Sequence, residues 1–209
     1  MKCFLNVGGG DKGIAVPAYF EGWRHDRLDI DPAVQPEVLC DARELQKLAP
    51  QTDDAVYCSH NLEHYHRHDA LKVMRGFAHV LKLEGFAQIH VPNILGMMKV
   101  VVEQNLDVDD VLYECPAGPV HVFDLIYGFQ KKIEESGVDF FAHKTCFSAK
   151  SLMAAMMQSG FAFGAAGTNE LDLYGFFFRT QPTVELCRML GIGQAPVKPW
   201  TPSTNPLVQ

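Results

Sequence analysis

A short, mostly apolar run, Cys3 to Val7, breaks directly into Gly8-Gly9-Gly10, and an acid, Asp29, closes the next strand-like run nineteen positions beyond Gly10. Glycines after a buried strand let the backbone turn sharply and approach a ligand closely. In a βαβ unit, a carboxylate about 20 residues past such a turn accepts hydrogen bonds from the two hydroxyls of a ribose. A glycine triplet alone is an ordinary turn. Paired with Asp29, it restricts the chain to an open α/β sheet that binds a nucleoside at its strand ends.

The rest of the first half repeats strand and connector. Strands are expected over residues 3–7, 27–30, 38–40, 55–59 and 86–91, with a short helix limited by Pro17 over 12–20 and a helical turn over 42–48. The clearest helix covers 67–82: Ala70, Val73, Met74, Phe77, Val80 and Leu81 recur on one face. Such alternation implies a parallel sheet covered by helices. Further on, helices are expected over 94–106, 121–135, 148–159 and 183–190, with a turn-rich break over 115–119. Two strands over 161–166 and 171–179 are close enough to pair as an antiparallel hairpin. Phe140-Phe141 and Phe176-Phe177-Phe178 read as core.

The 209 residues suggest one domain, and 47% hydrophobic with 21% charged residues is an ordinary globular balance. A net charge of −7 disfavours nucleic acid as a bulk electrostatic partner. The six cysteines are scattered without a C-x-x-C pair, which fits reduced thiols in a cytoplasmic protein. No apolar run approaches membrane-spanning length, and MKCFLNVGGG is too short for a signal sequence.

Asp11 directly follows the glycines, and the third glycine of G-x-G-x-x-G is missing. A fixed negative charge there opposes a pyrophosphate but tolerates a sulfonium or an amino-acid ammonium. That favours S-adenosylmethionine over a dinucleotide.

LNVGGG, RLDIDP, CDARELQKL, DDAVYCSHNLEHY and LKLEGFAQIHVPN resemble, in order, successive motifs of class I S-adenosylmethionine-dependent methyltransferases. The likeness is closest to the type 11-like branch associated with sugar and lipopolysaccharide biosynthesis. It spans residues 3–93, and HVFDLIYG, HKTCFSAKSL and QSGF resemble later segments of that branch. The resemblance implies a Rossmann-like, open, mostly parallel seven-stranded sheet with helices on both faces and a C-terminal antiparallel hairpin. Residues 1–192 form the domain, 94–146 a substrate cap, and 193–209 a Pro-rich tail.

The resemblance also implies roles. Gly8, Gly9 and Gly10 lie beneath the methionine part of the cofactor. Asp29 holds the ribose, with Asp31 as the fallback. Asp41 meets the adenine amino group, Ala42 supplies backbone, and Ser59 and His60 flank the transferring methyl. Two departures stand out: Asp11 occupies the place of a last glycine, and the usual P-G-G is Leu83-Glu84-Gly85. The acceptor is expected to be a small molecule, such as a sugar or nucleotide sugar, with no nucleic acid or membrane partner and room for a homodimer. A hydroxyl or amine acceptor benefits from a histidine base, and His121 and His143 in the cap are the candidates.

Two other functions compete. His60-Asn61-Leu62-Glu63-His64 fits H-x-x-E-H, which on a helix binds zinc with the glutamate as base. Its position straight after a strand argues against a zinc hydrolase, and no metal is expected. A non-catalytic binding protein on the same fold is the other alternative.

Overall fold

The computed structural model describes residues 1–115 and 118–193. Pro116 and Ala117 of the expected break, and the expected Pro-rich tail from residue 194 on, lie outside the described residues.

The main sheet starts from β1 (Cys3–Val7), flanked on one side by β2 (Arg24–Asp29) and β3 (Val38–Leu39), and on the other by β4 (Asp53–Ser59) and β5 (Leu81–Pro92). All four pairings among these strands are parallel. A small hairpin, β6 (Val111–Cys115) with β7 (Gly118–His121), stands apart from it. Finally β8 (Phe163–Thr168) and β9 (Asp172–Phe178) form the expected antiparallel hairpin, with β9 inserted antiparallel against β5. The order β3-β2-β1-β4-β5-β9-β8 is the seven-stranded, mostly parallel sheet the sequence implies.

Alternation along the strands divides the core in two. Leu5, Val7, Val56, Cys58, Ala87, Ile89, Leu173 and Phe177 face one side. There they meet α1 (Arg67–Val80), through Val73, Met74 and Phe77, and α5 (Ala149–Gln158), through Leu152 and Met156. Phe4, Ala55, Tyr57, Phe86, Phe176 and Phe178 face the other side. That side is covered by the 3-10 turn Ala18–Phe20 and by α6 (Val184–Met189). The Phe4 and Phe20 rings stack at 4.0 Å.

The connections differ from expectation in three places. The crossover from β1 to β2 holds only the 3-10 turn after Pro17, because that proline removes a donor and blocks a helix across it. β5 begins at Leu81, directly after α1, and Leu83-Glu84-Gly85 lies within a register irregularity of the strand instead of a free turn. The helix expected over 121–135 is two, α3 (Val122–Tyr127) and α4 (Gln130–Ser136). They part at Gly128, whose φ of +93° no β-carbon favours and where a side chain would strike the Phe141 carbonyl. The remaining helix, α2 (Ile94–Gln104), leads from β5 into the β6-β7 hairpin. Among the described residues no helix is long and apolar enough to cross a membrane.

Candidate active site

The carboxyl ends of β1, β2 and β4 surround a crevice of about 670 Å³. Its glycine wall is tightly held. Gly8 N–H and Gly9 N–H both donate to the Leu28 carbonyl, at 2.9 and 3.3 Å, and Gly10 N–H donates to Asp29 Oδ2 at 3.0 Å. Gly8 and Gly10 adopt φ of +69° and +53°, and a side chain on Gly8 would collide with Asn61. Beneath the loop lies Arg27, only 2% exposed. Its guanidinium donates to the carbonyls of Gly10, Val34 and Gln35 at 2.7, 3.1 and 2.6 Å, and its Nε to Glu37 at 2.9 Å. Glu37 is thereby held at about 2, well below the usual carboxylate range, chiefly by its bond to Arg27. One buried cation thus ties the glycine loop to the turn after β2.

Asp29 accepts Gly10 N–H on Oδ2 and Asp31 N–H on Oδ1, the latter at 3.0 Å. Each oxygen keeps a further lone pair, and the residue lines the crevice. Asp31 lines it too, while its Oδ1 caps Ala33 N–H at 2.8 Å. Asp11 does not line the crevice; its carboxylate accepts Gly13 N–H at 2.7 Å. Beside the glycine loop the negative charge facing this space therefore comes from Asp29 and Asp31, not from Asp11; farther along the wall Asp41 and Asp69 are paired with Arg43, and Asp139 with Lys144.

Asp41 also lines the crevice, but Arg43 grips both its oxygens, at 2.5 to 3.0 Å. Ala42 is 2% exposed and packs in the core, so only its backbone is available. Ser59 and His60 stand where β4 ends, and His60 turns the chain with φ +48°.

A second cavity, about 610 Å³, adjoins the first, and His60, His64 and Phe141 are walls of both. Most of its lining is apolar, including Val120, Leu125, Phe129 and Leu171. The segment from Tyr113 to His143 supplies much of this wall. It is fastened to the loop after β4 by Lys144 N–H and Thr145 N–H, which donate to the Glu63 carbonyl at 2.8 and 3.2 Å. This brings His143 beside His64, with ring centres 5.2 Å apart.

Of the two expected bases, His143 lines this second cavity and His121 lines neither. His121 caps the start of α3, and its Nδ1 lies 2.8 Å from the Asp109 carbonyl. Phe176, Phe177 and Phe178 are core as expected. Phe140 and Phe141 are not: they are 44% and 40% exposed and line the crevice, because the short turn Asp139–Phe141 carries them over it.

The polar group that sequence reasoning weighed for chemistry only as the base of the rejected zinc pattern is Glu63. It is 1% exposed, and neither carboxylate oxygen has a hydrogen-bond partner. His60 Nδ1 lies 3.5 Å from it, and His60 Nε2 lies 3.5 Å from Asp172 on β9. Burial alone would push Glu63 up; His60 and His64 outweigh that and leave its carboxyl below its ordinary value. Burial would likewise push His60 down, but Glu63 and Asp172 lift it above its ordinary value. For His143 burial prevails and the imidazole sits low, favouring its neutral form.

The zinc-hydrolase pattern does not form its helix. Leu62–His64 is a single 3-10 turn, and His60 lies before it in the left-handed region. The i, i+4 geometry that such a motif requires is absent at residues 60–64.

The sequence matches no protein-family model and no curated protein. Solved structures do resemble the fold, among them S-adenosylmethionine-dependent methyltransferases. One, from Archaeoglobus fulgidus, superposes with a TM-score of 0.54 at 14% identity, over 84% of this chain and 85% of that one. A second, from Thermotoga maritima and described as a possible histamine N-methyltransferase, has a TM-score of 0.51 at 13% identity, over 86% and 83%. A third, a Haloferax volcanii putative methyltransferase in complex with the activator Trm112, has a TM-score of 0.53 at 12% identity, over 87% and 83%. At these identities the likeness is one of fold.

Proposed function

We propose that this chain transfers the methyl group of S-adenosylmethionine to a small-molecule acceptor. The observation that carries the reading is the pair of cavities with a shared wall at the strand ends: one edged by glycine backbone and Asp29, the other mostly apolar with a cluster of imidazoles. In the first, the ribose hydroxyls donate to the free lone pairs of Asp29. The cationic sulfonium and ammonium are favoured by the carboxylates of Asp29 and Asp31, which would repel a dinucleotide's phosphates. Tyr65, Phe140 and Phe141 supply apolar wall for the adenine. Asp41 contributes through the turn it caps, since Arg43 holds its carboxylate.

Transfer is an in-line displacement. A lone pair on an acceptor oxygen or nitrogen forms the new bond to the methyl carbon, the carbon–sulfur bond breaks, and its electron pair stays on sulfur, leaving S-adenosylhomocysteine. The acceptor's proton passes to His60, which with His64 borders both cavities. Alignment of donor and acceptor supplies most of the rate. Among the described residues lining the second cavity there is no lysine or arginine, while Glu63, Asp124 and Asp172 are present. A neutral or cationic acceptor of ring size fits this lining. A sugar ring satisfies it, and the diphosphate of a nucleotide sugar does not.

Titration calorimetry with S-adenosylmethionine tests the reading directly. Asp29→Asn keeps the shape but loses a charged acceptor, which is worth about 1.5–3 kcal/mol, or roughly 10–100-fold in affinity. An unchanged affinity in this variant would mean that the ribose lies elsewhere.

A further inference from the structure

Three side chains in the second cavity share a feature that proton transfer alone does not call for. His64 Nδ1 lies 3.2 Å from the Ala142 carbonyl, and His143 Nδ1 lies 2.9 Å from the Leu125 carbonyl. Carbonyls only accept, so both rings carry a proton on Nδ1, and the atom left to ligate in the neutral imidazole is Nε2. Between them stands Glu63, with both oxygens buried and lacking any hydrogen-bond partner. Its nearest polar neighbour is His60 Nδ1 at 3.5 Å, too long for a good hydrogen bond, so a buried carboxylate here is only partly compensated and a cation on its cavity side completes the compensation.

We propose that Glu63, His64 and His143 bind one divalent transition-metal ion that faces the acceptor cavity. Their donor atoms lie within 4.8 Å of one another. Ligation at about 2.1 Å needs them within about 4.2 Å, so a small inward rotation of the side chains closes the set. Two imidazoles and one carboxylate suit zinc, manganese or iron(II) better than calcium or magnesium, which prefer all-oxygen ligands. The carbonyl bonds on Nδ1 are the outer contacts that orient metal-binding histidines. The site differs from the zinc-peptidase pattern: His60 is not a ligand, and His143 comes from the cap, seventy-nine residues after His64. Three protein ligands leave coordination positions open toward the cavity, where an acceptor hydroxyl, carboxylate or amine can complete the shell. The ion therefore selects acceptors that carry a metal-binding group next to the atom to be methylated.

The test is metal content after dialysis of the purified full chain against zinc chloride or manganese chloride, with thermal melts in parallel. The wild type should retain one equivalent of at least one of the two ions and melt higher with it. Glu63→Gln and His143→Gln should each lower that affinity by more than about 100-fold, beyond what loss of an outer contact costs. Metal-free Glu63→Gln should still give a cooperative melt and the circular-dichroism spectrum of the metal-free wild type; this separates lost binding from lost folding. A His66→Ala/His68→Ala variant, altered at the exposed neighbouring histidines, should keep its equivalent. No stoichiometric ion in the wild type, or an ion retained by both site variants, overturns the proposal. Calorimetry of metal-free protein with S-adenosylmethionine reads the methyl-transfer reading separately, so either can fail alone.

Discussion

Arg27 decides more of the crevice than any residue that faces it. It is buried beneath the glycine loop and ends on three backbone carbonyls and Glu37. Lysine cannot replace it, because a point charge cannot serve that many acceptors in fixed directions. The Glu37 carboxyl, depressed from 4.5 to about 2, contributes stability that is fully present above its unfolded value and is lost as the pH falls from about 4.5 through 2. Glu37→Gln should therefore destabilise the protein near neutrality, by on the order of 1 kcal/mol because the carboxylate is a third exposed. Urea unfolding at several pH values should show the gap between wild type and variant closing between pH 5 and 2. A gap independent of pH would mean that the pair is not coupled to folding.

The residues nearest the strand ends were legible in the sequence because their signal is local. A glycine turn and an acid ending the next strand are fixed by a short stretch of chain. The juxtaposition of His64 and His143 was not legible, because it depends on bonds from Lys144 and Thr145 to Glu63 across the chain. Glu63 could have been flagged by its place between two histidines, but only burial reveals that its oxygens lack partners. Arg27 read as an ordinary strand residue, since nothing in RLDIDP announces a buried guanidinium.

At the scale of elements, α1 shows how closely the layers approach. Gly76 lies in the middle of that helix, where glycine is normally unfavourable by about 1 kcal/mol relative to alanine. A β-carbon there would stand 2.5 Å from Leu45 Cβ, on the 3-10 turn Ala42–Lys47 that precedes β4. Gly76→Ala should gain helix propensity and lose more to overpacking, for a net destabilisation of about 1–2 kcal/mol by denaturant unfolding. A variant at least as stable as wild type would mean that the turn simply moves aside. Asp41 caps this turn and Ala42 begins it, so under the proposed function the variant should also weaken the affinity for S-adenosylmethionine. Elements with a strong period, α1 and α5, were readable within a residue or two. The β6-β7 hairpin was not: Val111–Cys115 and Gly118–His121 are short and half exposed, and lack an alternation to distinguish them from loop.

For the whole molecule, a ligand in the crevice would add contacts between the loops that follow β1, β2 and β4, beyond the pairing of the strands themselves. Under the proposed function, S-adenosylmethionine at about 100 times its dissociation constant adds about 2.7 kcal/mol of stability. For a chain of this size that raises the melting temperature by roughly 5–10 °C. A thermal scan with and without the cofactor checks this, and a shift near zero would count against occupancy of the native crevice. The mostly parallel sheet with its antiparallel hairpin was accessible from sequence because alternating strands and connectors, followed by two adjacent strands, admit few arrangements. How residues 118–145 pack was not, because they are held by isolated backbone bonds, such as Lys144 N–H to the Glu63 carbonyl, and by the close approach of Gly128 to Phe141.

The partition formed by His60, His64 and Phe141 has a thermodynamic corollary. Whatever settles on one side of it alters the surface offered on the other, so the two occupants are linked through a common free energy. A guest that improves the grip on its neighbour tenfold must itself be held tenfold more tightly once that neighbour is present, whichever arrives first.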